Sequence, residues 1–374
     1  MTKLYGDGIH DDTQAIQQML DKCGYIFVPD GTYLITKPLI IHDNTHLHAS
    51  SFAHFCLGDG ANCSLLDNDG LYNKSTNVNI TIEGGIWDGN NMMQERQVVP
   101  DENVPCAYDE YILNRLAIFM IRFVHTKNLV MKNLTFKDPT TFGVHIADVE
   151  YFRIENITLD YNLKKPNMDG VHIQGPARFG KVWGVYGDAH DDHVALCANG
   201  TTRSEITRGP IEEIEISGIY CNNGYTGVRL LSSGDPVRNI SISEIHGEFR
   251  FYAVSFTHHY PIREDRPILI ENVRLSNIFV SKAAYETAEA HHVDSVVNNA
   301  LIWVESGVTC RNVQIDSVYR NETCPQTVAP TFRISKGAVL ENFKIGSCFE
   351  NLYNTGCVTV ENLSDSEITG PDKM

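Results

Sequence analysis

Residues 129–136, LVMKNLTF, and residues 152–159, FRIENITL, share one form: alternating apolar positions, an asparagine near the centre, then another branched residue. The form returns as KVWGVYG (181–187), IEISGIYC (214–221), ISISEIHG (240–247), VRLSNIFV (273–280), VQIDSVYR (313–320) and FKIGSCFE (343–350), with successive centres 23 to 40 residues apart. Period-two alternation with β-branched residues specifies strands. Most of the intervals hold no helical pattern long enough for a crossover unit, so the strands must stack coil on coil in parallel. The fold expected is all-β: a single-stranded, right-handed parallel β-helix running through residues 1–374 as one domain.

A second short strand follows in several coils: GVHI (143–146), GVHI (170–173), HVAL (193–196), GVRL (227–230) and AVSF (253–256). In register, the valines make one inward ladder, and Ile146, Ile173, Leu196, Leu230 and Phe256 make a second. The residue between them faces outward to solvent: His145, His172, Ala195, Arg229 and Ser255. Extending the register backward sets NMD (167–169) beside HDD (190–192), so Asn167 neighbours His190 and Asp169 neighbours Asp192. Three aspartates, Asp169, Asp191 and Asp192, then share one small region flanked by His145, His172 and Arg229.

Like charges that close repel, and one of the group should keep its proton to higher pH than an isolated carboxyl. An acid beside an ionised base is what hydrolysis of a glycosidic bond requires. Calcium binding or a merely solvated acidic turn are the competing readings of the same residues.

Open ends of a solenoid expose strand edges and need covering. DDTQAIQQMLDKCG (11–24) is read as a capping helix with Asp12 as N-cap, Ala15, Ile16, Met19 and Leu20 as its apolar face, and Gly24 as its stop. The acidic stretch 95–113 breaks the rhythm and is read as a loop inserted between coils, over a cleft.

Thirty basic against 47 acidic residues leave a net charge of −17, which argues against nucleic acid or an anionic membrane as partner. No apolar run of about 20 residues occurs, and the first residues lack a secretory pattern. A cytoplasmic location is expected unless a leader was removed. Ten cysteines without a CxxC pair read as buried thiols, with no cofactor or metal expected. The Asn-x-Ser/Thr sequences at Asn73, Asn79, Asn133, Asn156, Asn199, Asn239, Asn321 and Asn362 read as strand-turn asparagines. Oligomeric state is left open.

YGDGIHDDTQAIQQML with GYIFVPDGTYLI resembles the opening of the pectin-lyase-like superfamily. NRLAIFMIRFVHTKNLVMKNLTFKDP, followed by NMDGVHI, HDDHVAL and TGVRL, is similar to the polygalacturonase-like glycoside hydrolases of family 28. The resemblance covers roughly residues 5–260. It implies inverting hydrolysis, with Asp191 as general acid and Asp169 and Asp192 holding and deprotonating the attacking water. Arg229 matches the arginine of the family's Arg-Ile-Lys motif in the substrate cleft. Asn167, His145, His172 and His190 are the further candidates for substrate contact. The motif reads Arg229-Leu230-Leu231 here, without the lysine, and no Gly-His-Gly turn lies between 197 and 226, which shifts the expected carbohydrate from pectate towards a neutral one. A uronate lyase or epimerase, and a glycan-binding β-helix without catalysis, are the alternatives.

Overall fold

The computed structural model describes residues 3–95, 119–198, 207–232, 234–258, 268–283, 299–353 and 358–370. Every strand pairing among them is parallel, and the strands link into one continuous sheet wound as a right-handed β-helix. The ladder in the middle of the molecule has the anticipated register. Val144, Val171, Val194, Val228 and Val254 follow one another coil by coil, and Ile146, Ile173, Leu196, Leu230 and Phe256 do the same. All ten are 0% exposed, so the lumen is an apolar core stabilised by burial.

The anchor strands bend. Ile121–Lys137 and Val144–Asp160 each run 17 residues, but left-handed residues interrupt them: Asn128 and Asn133 in the first, Tyr151 and Asn156 in the second. Asparagine tolerates that conformation better than most residues, and its amide adds a bond to the same position one coil on. Asn44, Asn79 and Asn128 form one such ladder, with bonds of 2.8 and 3.0 Å. Asn239, Asn272, Asn312 and Asn342 form another. Four of the Asn-x-Ser/Thr asparagines, Asn79, Asn133, Asn156 and Asn239, thus sit in side-chain ladders at left-handed corners.

At the N-terminal end the helix Thr13–Leu20 buries Ala15, Ile16 and Leu20 against the first coil. It is shorter than the 11–24 span because Cys23 and Gly24 adopt left-handed backbone after a C-cap at Asp21. Asp12 occupies the N-cap position without a side-chain cap bond. Its buried carboxylate turns back instead to accept the Tyr5 and Gly6 N–H groups at 2.6 and 2.9 Å, fastening the start of the chain. Beyond Glu95, the stretch 95–113 lies outside the described residues.

Candidate active site

The residues between the two lumen ladders form a single column across the outer side of the sheet. It reads Asp67, Arg122, His145, His172, Ala195, Arg229, Ser255, Trp303, Arg333 and Glu361 from one coil to the next. Solvent reaches only part of it: Arg122, His145, Ala195 and Ser255 are each at most 2% exposed, while His172, Arg229, Trp303, Arg333 and Glu361 stay partly exposed. The column residues pack along the axis and under aromatic rings. Phe142 stacks on His172 at 4.1 Å and on Phe119 at 4.6 Å, and Phe119 lies 4.9 Å from His145.

The acids stand at the middle of this column. Asp169 enters from the turn before Val171, and Gly170 makes that approach possible, since a Cβ there would come within 2.6 Å of the His193 carbonyl oxygen. Gly170 N–H donates to the Asp192 carbonyl at 2.9 Å, and Asp169 offers its own carbonyl to Gly143 N–H and to the Tyr161 hydroxyl at 2.8 and 2.9 Å. One carboxylate oxygen from each of Asp169, Asp191 and Asp192 lies within 4.8 Å of the others. Asp169 and Asp192 are 2% and 4% exposed, whereas the Asp191 side chain keeps 13% of its surface open.

Among the described residues, Arg229 is the cation that bonds these acids, and it reaches two of the three. Arg229 Nε stands 2.9 Å from Asp192 and its Nη2 3.3 Å from Asp191. Asn167 donates its amide to Asp191 at 3.1 Å. Asp169 is instead bonded to His172 Nδ1 at 2.8 Å, and its second oxygen is buried with no partner. Burial, followed by the charge of Asp191, holds the Asp169 carboxyl well above the usual carboxylate range. Burial does the same to Asp192, against the opposing pull of Arg229. Burial lowers His172 to about 3, so its contact with Asp169 is a hydrogen bond of a neutral imidazole and not an ion pair. Three carboxyls around one guanidinium cannot all ionise cheaply, and such a group titrates as a unit that retains a proton.

The remaining candidates fall into two groups. Asn167, His172 and Arg229 touch the acids directly. His145 is fully buried, its imidazole driven well below its usual range by burial, and its Nε2 bonds the Gln174 side chain at 3.0 Å. His190 is 3% exposed and bonds the Lys165 carbonyl at 2.8 Å, pinning the turn that carries Asn167. His193 is also enclosed, with Nδ1 donating to the Thr226 carbonyl at 2.7 Å.

Arg122 extends the column one coil further and was legible from Ile121-Arg122-Phe123, the same apolar-basic-apolar alternation as Val228-Arg229-Leu230. It forms a buried two-pronged pair with Asp67, Nε to Oδ1 at 2.8 Å and Nη2 to Oδ2 at 2.5 Å. Tyr225 adds a buried hydroxyl without a hydrogen-bond partner near the acids, raised by its burial and then by the charge of Asp191. No pattern in the sequence marks Phe119 and Phe142, because both precede strands and meet the histidines only across coils.

The pattern of a family described as rhamnogalacturonase A/epimerase, pectate lyase-like, matches residues 3–247. A curated relative, plasmin and fibronectin-binding protein A of Streptococcus pneumoniae, is 30% identical over 182 residues, 44% of this chain and 24% of its own. The chain thus matches about a quarter of that relative's length. Among solved structures, the endo-xylogalacturonan hydrolase of Aspergillus tubingensis is similar with a TM-score of 0.58 at 13% identity, covering 96% of this chain and 98% of that one. The family 28 exopolygalacturonase of Yersinia enterocolitica follows with 0.54 at 13% identity, over 99% and 77%. At such identities these two structures bear on the fold alone.

Proposed function

This chain belongs to the rhamnogalacturonase A/epimerase, pectate lyase-like family, and from that premise we propose that it is a glycoside hydrolase whose acid and base are drawn from Asp169, Asp191 and Asp192. The observation that carries the reading is the convergence of three carboxyls beside Arg229, two of them buried and pushed by that burial above the usual carboxylate range. Asp191, the member with open surface, meets the leaving oxygen and delivers the proton. Asp169 and Asp192 orient the attacking water. In the reactive form the proton the cluster retains sits on Asp191, so one of the other two is ionised and takes the water's proton as Asp191 gives its own to the leaving oxygen, with Arg229 spreading the remaining negative charge. His172 and Asn167 position the acids through their bonds to Asp169 and Asp191.

Inversion follows from the resemblance. The nearest carboxylate oxygens, within 4.8 Å, are closer than the roughly 6.5–9.5 Å separation usual for inverting pairs. A third carboxyl supplies what a compact pair lacks, since water can be held by two acids while the third protonates. Proton NMR of the anomer first released is the check: a product of inverted configuration is expected, and retention would assign one aspartate to covalent attack.

A neutral carbohydrate is the substrate class proposed. Within the column each arginine already faces a carboxylate: Arg122 faces Asp67, Arg229 faces Asp191 and Asp192, and Arg333 faces Glu361. A uronate arriving there meets cations that are already neutralised. Release of reducing ends from neutral and acidic oligosaccharide panels tests this, and an unsaturated product absorbing in the ultraviolet would move the reaction to elimination.

The proton retained by the cluster sets the pH dependence. Activity is expected to fall on the alkaline side, as the cluster gives up the proton it shares and none is left for Asp191 to deliver, and Arg229→Gln should move that fall to higher pH because the guanidinium opposes the rise. Stability follows with the same sign. Protons held more tightly in the folded state contribute stability that is full below about pH 4, the ordinary aspartate range, and is lost as pH climbs through the raised values. Asp169→Asn removes that penalty, so its melting temperature should exceed wild type by a margin that widens with pH; a constant or negative margin would contradict the protonation proposed.

A second reading is favoured by one finding, the relative named for binding plasmin and fibronectin. On that reading the column is a binding groove, no glycan is cleaved, and Asp191→Asn changes nothing.

A further inference from the structure

Away from the acids, near the N-terminal end of the solenoid, three kinds of ligand atom converge. His54 and Cys56 lie two residues apart on the strand Ala53–Leu57 and project on its outer side. Asp88 pairs with Cys56 from the next coil, in the strand Ile86–Asp88. An imidazole nitrogen, the thiol sulfur and a carboxylate oxygen all lie within 4.8 Å of one another. His54 Nε2 is 3.0 Å from Asp88 Oδ2, while Asn90 N–H fixes Asp88 Oδ1 at 2.8 Å. The Asp88 side chain is 6% exposed and that of His54 27%, which leaves a path from solvent to an otherwise enclosed carboxylate.

We propose that His54, Cys56 and Asp88 form a zinc site, with water as fourth ligand. Sulfur, nitrogen and oxygen together suit zinc, whereas calcium and magnesium take oxygen ligands and would leave the thiol unused. Bonds of about 2.0–2.3 Å require the three atoms to close around the ion, a movement within the rotamer freedom of partly exposed His54 and Cys56. The thiol proton leaves to solvent as sulfur binds, and thiolate with carboxylate then balances the divalent charge. Lys137 is the competitor, its Nζ 2.7 Å from Asp88 Oδ2. Asp138, 3.6 Å from the same nitrogen, is the partner that receives it on displacement.

The ion staples one coil to the next just before a turn that matters elsewhere. Asn91, three residues beyond Asp88, donates its amide to the Pro139 carbonyl at 3.1 Å and reaches Met168 Sδ at 3.9 Å, the residue before Asp169. The aspartate cluster is itself compact, but it offers neither nitrogen nor sulfur and two of its members hold Arg229, so it serves as the control.

The test is titration of the chelator-treated full chain with Zn²⁺ by calorimetry and with Co²⁺ by absorbance, with circular dichroism to verify folding. One ion per chain, a raised melting temperature and a thiolate-to-cobalt charge-transfer band are expected. Cys56→Ser should abolish the band, and His54→Ala should weaken binding by about tenfold or more. Lys137→Met should strengthen it, and Asp191→Asn should bind as wild type. A cobalt spectrum without the thiolate band, binding that survives Cys56→Ser, or no saturable binding even in Lys137→Met would overturn the site. None of these readouts depends on hydrolysis.

Discussion

Asp191→Asn is expected to lower turnover by about 10²–10⁴-fold, the usual contribution of a positioned general acid, while leaving carbohydrate affinity close to that of wild type. Asp191 is the member of the trio with open surface, and it is held by Asn167 at 3.1 Å and Arg229 at 3.3 Å. An asparagine fills the same space and can still bond one of these two partners, so the cleft keeps its shape while the proton donor is gone. Turnover measured beside calorimetric affinity separates the readings. Loss of turnover with binding kept supports the hydrolase. Equal turnover in both proteins removes Asp191 from the chemistry. Binding in both with cleavage in neither favours the reading of the column as a binding groove.

The largest effect on stability is expected from Asp67→Ala. Asp67 and Arg122 are both 0% exposed and joined by two bonds, with the Tyr72 hydroxyl also donating to Asp67 at 2.5 Å. Removing the carboxylate strands a guanidinium in the interior, which typically costs about 3–5 kcal/mol because the charge has lost its counterpart without regaining water. Replacing both partners by apolar residues, Asp67→Leu with Arg122→Met, should recover most of that loss. Urea unfolding of the three proteins provides the check. A single variant within about 1 kcal/mol of wild type, the usual value of an exposed pair, would show that solvent reaches Arg122.

Legibility differed along the chain for physical reasons. The ladders of valine and of isoleucine, leucine and phenylalanine could be written down from GVHI, HVAL and GVRL, because a parallel sheet admits one register that buries both sets. The neighbourhood of Asp169 and Asp192 followed from the same register. What surrounds that neighbourhood did not. His145, His172 and Ser255 were expected to face solvent, since alternation distinguishes lumen from exterior but says nothing of what lies over the exterior. Phe119 and Phe142 cover the histidines through contacts between coils, and the bonds of His190 and His193 to backbone carbonyls depend on how turns fold back.

By itself, then, the order of residues determined the winding of this protein. Period-two alternation needs only each strand's own side chains, and repeated coils leave one way to pair them. It also determined that three aspartates would meet. Only the tertiary structure decided which carboxyls are raised, Asp169 and Asp192, since that depends on how much water each retains and where the Arg229 guanidinium comes to rest. Arg229 lies on Asp191 and Asp192 and leaves Asp169 to a neutral imidazole. Burial and distance to a charge are properties of the folded surface, with no counterpart in sequence spacing.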